Sequence, residues 1–152
     1  MELILKENLI FTDLKFDNKE DLLNFLSGQL LEKGYVKSEY QKAILDREKI
    51  YPTGLPALGV SIAIPHADNN LVNETTIAIG ILKEPVIFYS MEDSETELNV
   101  QIVMMLAIKE PHGQIEMLQK VVSIIQDETL TTQLLKETDK SDVLSKITPY
   151  LY

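Results

Sequence analysis

The sequence contains no cysteine and no tryptophan, and only two of its 152 residues are histidine. Without cysteine, disulfide bonds, thiolate metal sites and cysteine nucleophiles are excluded. The sequence also lacks a glycine-rich phosphate loop and the Gly-x-Ser-x-Gly motif of hydrolases. Direct use of ATP or GTP and serine hydrolysis are therefore poor explanations, and we expect neither a cofactor nor a bound metal.

A long apolar segment and an excess of basic residues are missing as well. No apolar run reaches the roughly 18 residues that a membrane span requires, and residues 1–7 lack the features of a signal peptide. We therefore expect a cytoplasmic protein. The 14 basic and 24 acidic residues give a net charge of −10, which repels the phosphates of nucleic acid. This charge either steers a basic protein partner or only keeps the chain soluble, and both interpretations stay open.

The length and the 45% hydrophobic content fit a single domain, which we place at residues 1–152. Predicted helices come first along the chain, then strands, then helices again. This order predicts an α/β sandwich in which a central mixed β-sheet is flanked by helices. The order of the strands does not follow from the sequence.

Two helices are predicted before the strands. The pair Asp17 and Asn18 is an N-cap signal for the first helix, and Gly34 ends it. Ser38 and Gln41 form a capping-box pattern for the second helix. One stripe of the second helix is formed by Tyr40, Ala43, Ile44 and Arg47. The arginine therefore continues a largely apolar face.

The middle of the chain predicts strands at residues 60–64, 76–82 and 99–108, with a shorter candidate at 86–89. Residues 99–108 are almost continuously apolar, as expected of a central strand covered on both faces. Three helices are predicted after them, the first beginning near Pro111 and the others capped by Asp127 and Asp139. The apolar stripe of the first of these is predicted to be Ile115, Leu118, Val122 and Ile125.

Three residues are candidates for chemistry. His66 follows Pro65, which ends a strand because proline cannot donate to the sheet ladder, and ligands of α/β sheets collect at such strand ends. His112 opens a helix, whose free N–H groups and positive dipole end suit a phosphate. Arg47 offers a planar guanidinium that pairs well with phosphoryl oxygens. If both histidines follow strands, they can lie at one edge of the sheet.

Each candidate also has an ordinary structural explanation. His66 can be a loop histidine bonded to the backbone, His112 an exposed cap residue, and Arg47 the partner of Asp46 in a surface ion pair. A divalent metal site formed by His66, Asp68 and His112 is a weak alternative, because the spacing of these residues matches no metal-binding motif.

The candidates occur in a familiar pattern. Residues 59–67 read Gly-Val-Ser-Ile-Ala-Ile-Pro-His-Ala and resemble the phosphorylation-site motif of the fructose/mannitol-type enzyme IIA proteins of the sugar phosphotransferase system. Residues 47–56 are most similar to the galactitol-specific branch, and His112 with Leu118 and Val121 resembles the helix of the second histidine. The resemblance extends over nearly the whole chain.

The resemblance implies a mechanism. The carrier protein HPr would donate a phosphoryl group to His66, and a cysteine of an enzyme IIB would accept it for uptake of a galactitol-like sugar alcohol through a membrane enzyme IIC. Arg47 and His112 would offset the charge of the phosphoryl group. A second role implied by the family is regulatory, as in the nitrogen-branch enzyme IIA proteins, which bind partners according to their phosphorylation state.

Overall fold

The computed structural model describes residues 3, 5–57 and 60–152. Within these residues, the sheet contains β1 (Ile10–Leu14), β2 (Gly54–Leu55), β3 (Ser61–Ala63), β4 (Thr76–Tyr89) and β5 (Glu97–Ala107). The helices are α1 (Lys19–Glu32), α2 (Tyr40–Ile50), α3 (Gly113–Ile125), α4 (Glu128–Lys136) and α5 (Lys140–Leu151). Short 3-10 turns precede β1 at Glu7–Leu9 and follow β3 at Asn69–Leu71.

The sheet is mixed, with the strand order β1-β4-β5-β3-β2. Strand β1 is parallel to β4, and β3 is parallel to β5. The pairs β4–β5 and β2–β3 are antiparallel. Strand β5 is therefore central, as its apolar sequence predicted.

Side chains of β5 alternate between an apolar core on one face of the sheet and a second core on the other. Val103 and Met105 lie in the first core, and Ile102 and Met104 in the second, because successive residues of a strand point to opposite faces. Helices α1 and α2 cover the first core, and α3, α4 and α5 cover the second. The predicted α/β sandwich is confirmed.

Most of the predicted helix ends are confirmed. The Asn18 side chain caps α1 by accepting from the Asp21 N–H at 2.8 Å. Gly34 follows α1 with a φ of 83°, and the next N–H bonds back to the Leu30 carbonyl, as in a Schellman motif. Asp127 and Asp139 are the N-caps of α4 and α5.

The capping box predicted for α2 is wrong. The N-cap is Glu39, which has helical backbone angles and no side-chain cap bond. The Ser38 hydroxyl donates instead to the Glu39 carboxylate, while the Gln41 amide donates to the Asn24 carbonyl and ties α2 to α1. The Tyr40 N–H, the first of the helix, donates to the Lys37 carbonyl. A backbone group therefore takes the place of a side-chain cap at this N–H.

The apolar stripe predicted for α3 is only partly right, because Leu118 and Ile125 pack against the second core but the other two residues do not. Ile115 is 65% exposed and Val122 is 39% exposed, whereas Met117, Val121 and Ile124 are buried. Both sets have helical spacing, and they lie on neighbouring faces of one helix. Packing on the second core selects the face that carries the methionine.

Strand β3 is shorter than the predicted 60–64, β5 is shifted by one or two residues from 99–108, and other strands differ more. The segments 76–82 and 86–89 form one strand, β4, with a register shift between Ile81 and Val86. The intervening Pro85 cannot donate to the ladder and is accommodated there. The short edge strands β1 and β2 have no counterpart in the prediction.

Tyr40 anchors α2 to the centre of the sheet. It is fully buried, and its hydroxyl donates to the Leu106 carbonyl at 2.7 Å. We expect Tyr40→Phe to lower the free energy of unfolding by about 1 kcal/mol, because the buried carbonyl loses its partner. Urea denaturation measures this, with the 62% exposed Tyr51 changed to Phe as the control. An equal loss in both variants would contradict the role of the buried bond.

Candidate functional site

His66 lies at the edge of the sheet where β3 and β5 both end. These neighbouring strands are parallel, so their carboxyl ends meet at the same edge. The Pro65 carbonyl accepts from the Leu106 N–H at 2.9 Å, which keeps the chain beside β5 for two residues beyond β3. His66 is 9% exposed, so most of the imidazole is enclosed.

The imidazole of His66 has a defined orientation. Its Nδ1 atom lies 2.9 Å from the Ile64 carbonyl oxygen, and a carbonyl can only accept, so Nδ1 carries the proton and Nε2 keeps its lone pair. Burial lowers the pKa of His66, and the positive charge of Arg47 lowers it further, while the bond to Ile64 opposes the shift. The ring is therefore neutral at pH 7, with Nε2 as its nucleophilic atom.

Arg47 lies in the last turn of α2, half-buried as its position on the apolar stripe predicted. Its guanidinium carbon lies 5.3 Å from the centre of the Tyr51 ring, and its buried Nε has no hydrogen-bond partner. The alternative of an ion pair with Asp46 is wrong, because Asp46 pairs with Lys42 at 2.8 Å. The guanidinium thus makes a cation–π contact with Tyr51, and its Nε–H is unused.

A groove of about 280 Å³ connects Arg47 with the residues that follow His66. It is lined by Ala43, Asp46, Arg47, Ile50, Tyr51, Ala67 and Asp68. Arg47 therefore lies across the groove from Ala67 and Asp68, the two residues that follow His66. Since Arg47 also depresses the pKa of His66, its charge acts at the imidazole.

His112 is the N-cap residue of α3, directly after β5, and its side chain is exposed and makes no cap bond. The first turn of α3 is tied to the histidine loop, because the Gln114 amide donates to the Ala67 carbonyl at 2.9 Å. A second link joins the Asn69 amide to the Lys109 carbonyl. These contacts hold the start of α3 at the edge that carries His66.

Groups of metal ligands and membrane-spanning helices are both absent from the described residues. Among residues 3, 5–57 and 60–152, no three histidine or acidic side chains are placed to hold a metal ion, so the alternative site of His66, Asp68 and His112 is not assembled. In the same part of the chain, no helix has the length and apolar character needed to cross a bilayer.

Comparison with known families decides the affiliation. The family described as "Phosphoenolpyruvate-dependent sugar phosphotransferase system, EIIA 2" matches residues 3–149. The chain belongs to this family. The matched range includes residues 59–67, whose motif resembles the phosphorylation site of the family. Gly59, the first residue of the motif, lies outside the described residues.

Individual relatives of this EIIA chain are specific for sugar alcohols. A mannitol-specific EIICBA component from Klebsiella pneumoniae is 34% identical over 139 residues, which are 90% of this chain and 21% of that protein. The galactitol-specific EIIA component of Escherichia coli K12 is 26% identical over 138 residues, 88% of this chain and 89% of that protein. The chain thus spans about a fifth of the mannitol relative.

A solved structure shows the same fold. The complex of enzyme IIAMTL and phosphorylated enzyme IIBMTL from Escherichia coli matches with a TM-score of 0.77 and 31% identity, covering 96% of this chain and 99% of that one.

Glu48 and Thr53 also belong to the surroundings of His66, and the sequence analysis missed them. Glu48 is only 3% exposed, and its carboxylate accepts from the Thr53 N–H and hydroxyl, both at 2.8 Å. The sequence does indicate that Glu48 is buried. It follows Tyr40 and Ile44 at a spacing of four residues, which places all three on one helix face. Burial raises the pKa of Glu48 to about 7, although the bonds from Thr53 and the charges of Lys19 and Arg47 oppose the shift.

Glu48 makes stability depend on pH. A carboxyl whose pKa rises from 4.5 to about 7 on folding favours the folded state in its protonated form, so its contribution falls as pH rises between these values. At about 1.4 kcal/mol per pKa unit, the loss is about 3 kcal/mol above pH 7. In Glu48→Gln the side chain stays neutral and can bond Thr53, so the variant should gain stability relative to the native chain between pH 4.5 and 8.

Urea denaturation at pH 4.5, 6 and 8 measures this difference. Glu32, an exposed glutamate on α1, provides the control as Glu32→Gln. The free energies of unfolding of Glu48→Gln and the native chain are compared at each pH. If their difference stays constant with pH, the assignment of a raised pKa to Glu48 is contradicted.

Proposed function

We propose that this chain is a phosphocarrier that accepts a phosphoryl group from phosphorylated HPr on Nε2 of His66 and passes it to a cysteine of an enzyme IIB. The observation that carries the proposal is the tautomer and the lowered pKa of the His66 imidazole. Its Nδ1 is engaged by the Ile64 carbonyl at 2.9 Å, and burial with Arg47 lowers its pKa. The remaining nitrogen is thus an unprotonated nucleophile in a partly enclosed site.

The transfer exchanges one N–P bond for another. The Nε2 lone pair of His66 attacks phosphorus while the bond from phosphorus to the donor histidine breaks and its electron pair returns to that ring. In the second step a cysteine thiolate of IIB attacks, the S–P bond forms, and His66 regains its neutral ring. Phosphoryl transfer of this kind needs positioning and charge stabilisation rather than a further nucleophile.

Two groups are proposed to offset the phosphoryl charge of about −1.5 to −2. The buried Nε of Arg47 lacks a partner, and a phosphoryl oxygen is a suitable acceptor for it and for the guanidinium fork. The start of α3 offers free N–H groups and the side chain of His112. Both groups belong to elements that border the loop carrying His66.

The acceptor and the transported solute are inferred from relatives. The similar solved structure is a IIA in complex with a phosphorylated IIB, and this supports a IIB as partner. Mannitol-specific and galactitol-specific relatives support uptake of a sugar alcohol through a membrane IIC. The galactitol-like assignment rests on residues 47–56, and exchange between HPr and IIB would take place in the cytoplasm.

Reconstitution tests the proposal. The chain is incubated with phosphoenolpyruvate, enzyme I and HPr, and the acid-labile phosphate is mapped. We expect the label on His66 and its loss when a mannitol-specific or galactitol-specific IIB is added. Labelling that no such IIB removes would contradict the transport role and favour the regulatory alternative. No labelling at all would overturn the proposal.

A further inference from the structure

A continuous path of hydrogen bonds leads from Glu48 to the imidazole of His66. The Glu48 carboxylate accepts from the N–H and the hydroxyl of Thr53, both at 2.8 Å. The Thr53 carbonyl accepts from the Ile64 N–H at 3.2 Å, and the Ile64 carbonyl accepts from Nδ1 of His66 at 2.9 Å. Four residues from α2, the following loop and the end of β3 are thus connected in series.

Stability alone does not account for a glutamate at this place. A buried carboxyl loses its hydration, and only hydrogen bonds or an opposite charge compensate for the loss. Within the described part of the chain, Glu48 has two hydrogen bonds from Thr53 but no ion pair, and Lys19 is paired with Glu20. Burial accordingly raises the pKa of Glu48, so its ionised carboxylate lowers the stability of the fold.

The loop that donates these bonds is anchored on its far side by the sheet, because Gly54 pairs with Ala63 and its carbonyl accepts from the Met91 N–H at 2.8 Å. Residue 52 is a proline and has no N–H to donate. Gly54 is pressed against β4, since a Cβ there would lie 2.6 Å from the Tyr89 carbonyl oxygen. The two bonds to Glu48 therefore hold Thr53 on the side of α2, while the sheet holds the following residue, Gly54.

From this geometry we infer that Glu48 is a positioning residue for His66, acting through Thr53 and Ile64. The inference deepens the proposed function, because it assumes that the orientation of His66 matters for phosphoryl transfer. With the Ile64 carbonyl held in place, Nδ1 keeps its proton and Nε2 keeps the lone pair that attacks phosphorus in the proposed transfer. A loosened Ile64 lets the ring turn or change tautomer, which lowers the fraction of rings ready for attack.

Two variants weaken the link between Glu48 and Thr53 to different extents, and two controls leave it intact. Thr53→Val removes the hydroxyl donor but keeps the backbone N–H, and Glu48→Ala removes both acceptors. Thr53→Ser retains the hydroxyl. Glu48→Gln retains an acceptor for the N–H and an amide that donates to the hydroxyl oxygen, so it tests the bonds separately from the charge.

Two measurements are made on each folded variant. The first is the tautomer of His66, read from the 15N chemical shifts of the ring in the unphosphorylated full chain without any partner. The second is the rate of phosphoryl transfer from phosphorylated HPr. For Thr53→Val and Glu48→Ala we expect a mixture of tautomers and transfer slowed about tenfold. Thr53→Ser and Glu48→Gln should keep the native tautomer and a rate within about twofold of the native rate.

The outcomes separate positioning from a purely structural role. A structural role lowers the melting temperature of Thr53→Val and Glu48→Ala but leaves the tautomer unchanged, and that result would overturn the inference. If Glu48→Ala does not fold, Thr53→Val alone decides. A native chain that takes no label from HPr would contradict the proposed function, whereas the tautomer measurement would still show whether Glu48 orients His66.

Discussion

The His66→Ala variant is expected to accept no phosphoryl group from phosphorylated HPr. Alanine removes Nε2, which we propose as the attacking atom. His112→Ala should still be labelled, since His112 is exposed and makes no cap bond. Acid-labile phosphate per chain after incubation with phosphoenolpyruvate, enzyme I and HPr measures both effects.

A second variant removes doubt about folding. The amide of asparagine can donate to the Ile64 carbonyl as Nδ1 of His66 does, so His66→Asn should preserve the loop while lacking the nucleophile. We expect a melting temperature close to that of the native chain and no label. Phosphate recovered on His112 in the native chain would contradict the assignment of His66.

The position of His66 was predictable because it depends on local chemistry. Pro65 ends the ladder wherever the strand lies, and the apolar residues before it require a buried strand. The meeting of β3 with β5 at one edge depends on their parallel pairing. That pairing joins residues far apart in the chain, and hydrophobic patterns do not encode strand order. The sequence therefore indicated the candidates and allowed a common edge, but it did not supply the strand pairing that creates this edge.

Other misses have equally specific causes. Pro85 interrupts the alternation of strand β4, so one bulged strand looked like two short ones. On α3 two sets of apolar residues with helical spacing lie on neighbouring faces. Only packing against the second core decides that Met117 is buried and Ile115 is exposed. Glu48 was overlooked because a charged residue is ordinarily assigned to solvent, although its spacing from Ile44 indicated a buried position.

Arg47→Lys is expected to slow phosphoryl transfer to and from His66 by tenfold to a hundredfold while leaving the melting temperature nearly native. A charge-assisted hydrogen bond to a phosphoryl oxygen is worth about 1.5–3 kcal/mol, which corresponds to this range of rates. Lysine keeps the positive charge and most of the aliphatic stem, but it loses the planar fork. The fold should tolerate the change, because the buried Nε has no partner to lose.

The matched control separates a positioned guanidinium from the general electrostatic field. Lys49 lies two residues further along α2 and is exposed, so Lys49→Gln removes one positive charge from the same helix turn. Single-turnover rates with phosphorylated HPr should fall much further in Arg47→Gln than in Lys49→Gln. Equal effects of the two variants would mean that Arg47 acts only through its long-range charge. A large drop in melting temperature for Arg47→Lys would instead assign the residue to the fold, because slower transfer would then follow from unfolding.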